Sequence, residues 1–109
     1  MLTLRADDRV LLLAIPSVPD LAAMARVLMT GSVVALGARE EVDAARRDMA
    51  EFENVMFIEA GPERIPWRDQ FFTKIVIPSH LERLLPEISS EIHRVLAPGG
   101  TIVSSSADV

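Results

Sequence analysis

Glu91-Ile92-His93-Arg94-Val95-Leu96-Ala97-Pro98-Gly99-Gly100-Thr101-Ile102-Val103 is the stretch that decides the fold. Ile92, Val95 and Leu96 continue an apolar stripe that begins at Leu81, Leu84, Leu85 and Ile88, at the spacing of one helix face. Pro86 interrupts the stripe, which predicts a short turn capped by Ser79 and a main helix restarting near Pro86. Pro98, Gly99 and Gly100 stop that helix, and Thr101 to Ser104 reads as a strand. A helix running straight into an apolar strand is one half of an α/β repeat.

The preceding chain supplies the other halves. Val10 to Ile15 is continuously apolar, as expected of a strand covered on both faces. Ser17, Pro19 and Asp20 form a helix start, with Ser17 as the cap and Pro19 in the first turn. Leu21, Met24, Ala25, Leu28 and Met29 follow at helical spacing, and Gly31 reads as a left-handed cap. Ser32 to Leu36 is a second strand, Arg39 to Ala50 a second helix, and Val55 to Glu59 a third strand. Gly61, Pro62 and Pro66 mark a loop, and Phe71 to Ile77 contains a fourth strand. Five strands alternating with helices predict a doubly wound, mostly parallel sheet with helices on both faces, in one domain over 1–109.

Composition narrows the function classes. The 109 residues include no cysteine, so disulfides and thiolate metal sites are excluded. Two histidines twelve residues apart, His80 and His93, make no metal-ligand spacing. The net charge of −5 argues against a nucleic-acid partner. Arg46 and Arg47 stand among Glu40, Glu41, Asp43 and Asp48, as a solvated helix face does. No stretch reaches the ~20 apolar residues of a membrane span. The six-residue run Val10 to Ile15 is too short for a secretory signal. The expectation is a soluble cytoplasmic protein.

The second half carries a family resemblance. Asn54 to Glu59, then Ile65-Pro66-Trp67, then Asp69 and Phe72, resemble the third strand and following segments of class I S-adenosylmethionine (SAM) methyltransferases. Glu91 to Val103 is similar to that family's "EIxRVLKPGGxxV" segment. The resemblance implies the sheet order 3-2-1-4-5. It also implies a further helix and an antiparallel hairpin beyond the fifth strand, for which the sequence has no residues.

The resemblance places the cofactor positions as well. The three glycines of the family's first loop fall at Ala14, Pro16 and Val18, and an early Asp falls at Leu12. The acid for the ribose hydroxyls falls at Gly37, and the acid for the adenine at Gly61. Pro16 also lacks an amide donor. Each lost hydrogen bond to a buried ligand group costs roughly 1–3 kcal/mol. Two or three losses weaken binding by about two to five orders of magnitude. The expectation is therefore no cofactor, with SAM not bound in the usual mode.

Several residues remain as candidates. Glu40 or Glu41 could reach back to a ribose, although acids in a first helical turn also serve the helix dipole. Ser17, Glu40, Glu63 and His80 could line a residual crevice, with His80 as a general base. A solitary histidine after a strand is more often a loop residue. Trp67 is better read as core than as a ligand platform, and Ser104, Ser105 and Ser106 as a polar tail.

Two functional readings follow, and a third is weaker. The first is a methyltransferase-like binding or oligomerisation module without SAM-dependent catalysis, forming a homodimer through the strand-five edge at Thr101 and Val103. The second is a SAM-dependent methyltransferase or other small-molecule enzyme with an altered cofactor pocket. The third is a receiver-like domain of order 2-1-3-4-5, against which stand Ala14, Ile15 and Gly61 in place of acids.

Overall fold

The computed structural model describes residues 3–104, so Ser105 and Ser106 lie outside the described residues. One sheet runs in the order β3-β2-β1-β4-β5, formed by β1 (Arg9–Leu12), β2 (Ser32–Gly37), β3 (Val55–Glu59), β4 (Phe72–Ile77) and β5 (Leu96–Ser104). All four pairings are parallel. Helices α1 (Val18–Val27), α2 (Arg39–Asp48) and α3 (Leu85–Val95) connect them, with a 3-10 turn over Ser79–Leu84 before α3. The order is the one the family resemblance implies, and it excludes the receiver arrangement.

Strand alternation explains the unbroken apolar runs. Val10, Leu12, Val33 and Ala35 face α1 and α2, where they meet Leu21, Val42 and Met49. Leu11, Leu13, Val34 and Leu36 face the other way, toward Ile88, Ile92 and Val95 of α3. A central strand buried on both faces needs an apolar residue at every position.

Several sequence expectations are corrected in detail. β1 ends at Leu12 and not Ile15, although the Leu13 amide still donates to the Val76 carbonyl. Gly31 is not a left-handed cap: α1 already ends at Val27, with its cap at the buried Leu28. Gly31 is required for a different reason, since a β-carbon there would collide with the Asp8 carbonyl oxygen. Ser79 does not cap its turn, which starts from Pro78, and α3 starts at Leu85, one residue before Pro86. β5 starts at Leu96, so Pro98, Gly99 and Gly100 lie inside it. The strand accommodates them through a register shift between Phe72 and Lys74 of its neighbour, with Gly99 at φ +79°.

Arg94 clamps the long loop between β3 and β4 onto the last turn of α3. Its guanidinium donates to the Ile65 carbonyl (2.6 Å), the Trp67 carbonyl (2.8 Å) and Asp69 (2.7 Å). It also donates to Glu91 at 2.7 Å, and Glu91 in turn accepts the Ile65 amide at 2.8 Å. The clamp buries Ile65 and holds Trp67 against Phe71 and Phe72, with ring centroids 5.6 and 5.8 Å away. Trp67 thus belongs to the core on the α3 side.

The hydrogen bond from Arg94 and the Ile65 amide hold the Glu91 carboxyl down at about 2, below its ordinary 4.5. A folded-state value below the unfolded one stabilises at pH above the unfolded value and is lost as pH falls through the window toward the folded one. Glu91→Gln should therefore flatten the loss of stability between about pH 5 and pH 2.5, read from urea midpoints. An acid limb as steep as in the unsubstituted protein would contradict the clamp.

Candidate functional site

Parallel strands put all their carboxyl ends on one edge, and the winding reverses at β1. A crevice opens there. Its volume is about 660 Å³, and Ala14, Ile15, Gly37, Glu41, Gly61 and His80 are among the residues around it. Trp67 does not fill it, and Ile15 stands on its wall.

The two glycines at the expected acid positions both line the crevice. At Gly37 a β-carbon would lie 2.7 Å from the Ile15 δ-carbon, so Ile15 closes that place to a larger residue. The same β-carbon would lie 3.4 Å from Glu41 Oε1. Glu41 Oε1 would thus be in ordinary van der Waals contact with a β-carbon on residue 37. The other glycine repeats the pattern: a β-carbon on Gly61 would collide with the Glu63 carboxylate. Each of these glycines thus has the carboxylate of a glutamate, four or two residues later, beside it.

The local fold positions Glu41. It sits in the first turn of α2, and its Oε1 accepts the Ala38 amide at 2.9 Å. That bond fixes the side chain against the helix start, with Glu41 on the lining of the crevice. Both Glu40 and Glu41 are exposed, but Glu40 does not line the crevice. Of the two adjacent acids, the structure selects Glu41. Glu59, at the end of β3, lines the crevice too, although it reads in sequence only as the end of a strand.

The remaining candidates divide. His80 lines this crevice and also a second cavity beside it, so it stands on the wall between them. Pro16 lines the second cavity and Val18 opens α1. Ser17 lines neither cavity; it caps α1 by accepting the Asp20 amide at 3.4 Å. Glu63 is placed by its contact with Gly61 and not as a wall. His93 is on the exposed side of α3, with Nδ1 2.8 Å from the Ser89 carbonyl. Among the described residues, no group of three or more His, Cys, Asp and Glu side chains is set to hold a metal ion. No helix among them is long and apolar enough to cross a membrane.

Known proteins resemble the chain in both sequence and fold. It is 36% identical over 58 residues to the ubiquinone/menaquinone biosynthesis C-methyltransferase UbiE of Coxiella burnetii, a match covering 51% of this chain and 23% of that protein. A SAM-dependent methyltransferase from Aquifex aeolicus superposes with a TM-score of 0.79 at 20% identity, over 92% of this chain and 56% of that one. Geranyl diphosphate C-methyltransferase from Streptomyces coelicolor superposes at 0.78 with 18% identity, over 92% and 39%. The chain thus spans about a quarter of that curated relative and about half of the Aquifex structure, and at these identities the superpositions speak for the fold alone. Residues 19–104 match the family described as "Methyltransferase domain", and the chain belongs to that family.

Proposed function

We propose that this domain is the cofactor-side part of a SAM-dependent methyltransferase with an altered pocket. The observation that carries this reading is the placement of both carboxylates. The Glu41 carboxylate lies beside Gly37 on the crevice lining, and the Glu63 carboxylate lies against Gly61. Family membership supports it over the non-catalytic module.

The roles follow from the geometry. The Glu41 carboxylate accepts from a ribose diol at the end of β2, and Glu63 accepts from an adenine amino group beside Gly61. SAM supplies an activated methyl group. His80, on the wall between the two cavities, is the side chain that takes the proton from an acceptor. Ala14 and Pro16 do not restore the close-approach amides, so binding is weaker than low micromolar.

Calorimetry with S-adenosylhomocysteine tests this. Glu41→Gln keeps an oxygen for the Ala38 amide but removes the charge, and should weaken binding about tenfold to a hundredfold. Glu40→Gln should change it less than about twofold. No binding at millimolar ligand, or equal effects of the two substitutions, would overturn the reading.

A homodimer is a second, separate proposal, favoured by one observation. Among the described residues β5 is an edge strand, paired only with β4, and Thr101 and Ile102 are exposed on it while Val103 is half-buried. Unpaired edge backbone is a template for a second strand. Light scattering at high micromolar concentration should then give twice the chain mass, and a monomer there would count against the dimer.

A further inference from the structure

The reversal that sets β4 beside β1 also builds a pocket at the opposite, amino edge of the sheet. Its volume is about 380 Å³. Arg5, Arg9 and Lys74 line it, together with Asp7 and Asp8. The chain carries a net charge of −5, and Lys74 is its single lysine. Three basic side chains on one small pocket therefore run against the composition.

β5 forms the outer wall. Leu96 pairs with Phe72 and Thr101 with Lys74, so β5 takes five residue steps where β4 takes two. The surplus passes through Gly99, an exposed residue at φ +79°. A β-carbon there would meet nothing within 4 Å, so the pocket stays open beside it.

The charges on the lining are not evenly matched. Asp8 is buried and both its oxygens are bonded: Oδ2 accepts the Arg5 amide at 2.7 Å and Oδ1 the Thr73 hydroxyl at 2.8 Å. Asp7 is exposed. Arg9 is held in place by Phe71: its Nε donates to the Phe71 carbonyl at 2.6 Å, and its guanidinium carbon lies 5.2 Å from the Phe71 ring centre. Among the described residues, those contacts leave its two terminal amino groups without a hydrogen-bond partner. The Arg5 guanidinium and the half-buried Lys74 ammonium make no hydrogen bond or ion pair among them either. Taking an ammonium partly out of water without an acceptor costs free energy, and an anion in the pocket would offset that cost.

We propose that this pocket binds a phosphate dianion, either free phosphate or the phosphate of a small monoester. Lys74, Arg9 and Arg5 supply charge-assisted hydrogen bonds, and the Thr101 hydroxyl is a further donor on the lining. The lining keeps a net positive charge, so attraction grows with the charge of the ligand and favours a dianion over a carboxylate. The site stands apart from the crevice and does not rest on the reading given to Glu41.

The test is an amide NMR titration at about pH 8, where phosphate is dianionic, with inorganic phosphate and with glycerol 3-phosphate at fixed ionic strength. Both should give saturable shifts at the amides of Arg9, Lys74 and Thr101. Lys74→Gln should weaken binding about tenfold, while Arg47→Gln, on the exposed face of α2, should change it less than about twofold. Arg5→Gln, at an exposed position whose backbone amide still serves Asp8, should weaken it about threefold and gives a second reading if Lys74→Gln fails to fold. Tighter binding of the monoester assigns the pocket to a monoester, and tighter binding of inorganic phosphate assigns it to the free ion; both support the site. No saturation by about 10 mM of either ligand, or equal losses in Arg5→Gln and Arg47→Gln, would overturn it.

Discussion

The winding of the sheet reverses at β1, and everything functional in this domain depends on that reversal. β2 and β3 lie on one side of β1 and β4 and β5 on the other. All strands point the same way, so their carboxyl ends meet one crevice. The side of the sheet each helix covers is fixed by strand alternation: Val10 and Leu12 look to α1 and α2, Leu11 and Leu13 to α3. Chain segments leaving β1 and β2 diverge from those leaving β4. The gap between them is the space a ligand can occupy, and Ala14, Gly37 and His80 come from three different strand ends to line it.

Arg94 ties down the α3 layer by gathering the Ile65 and Trp67 carbonyls, Asp69 and Glu91 around one guanidinium. The amino edge of the sheet has its own knot. Asp8 is buried and accepts from the Arg5 amide (2.7 Å) and the Thr73 hydroxyl (2.8 Å). Burial works against its charge, yet these bonds hold its carboxyl below the usual range. Both networks join residues far apart in sequence, and neither borders the crevice.

The architecture was legible because periodicity is a local property. The apolar runs at Val10, Ser32, Val55 and Phe72 became strands, and the stripe from Leu81 to Leu96 divided between the 3-10 turn (Leu81, Leu84) and α3 (Leu85, Ile88, Ile92, Val95), with Leu96 opening β5. What was misread depended on distant partners. Gly31 looked like a cap because no sequence pattern reveals that the Asp8 carbonyl lies against it. Pro98-Gly99-Gly100 looked like a stop because the register shift that absorbs it belongs to the pairing with β4. Glu91 and Arg94 were quoted for their spacing, while their partners in the loop at Ile65 to Asp69 could not be seen.

The site was legible by position and not by content. Gly37 and Gly61 do stand at the two strand ends where acids are expected, but the carboxylates of Glu41 and Glu63 lie beside them. The direct measurement is a crystal structure of the chain soaked with adenosine. The account predicts the ribose diol within hydrogen-bond distance of Glu41, with the adenine beside Gly61. Adenosine bound elsewhere, or in the crevice with its diol turned away from Glu41, would contradict it.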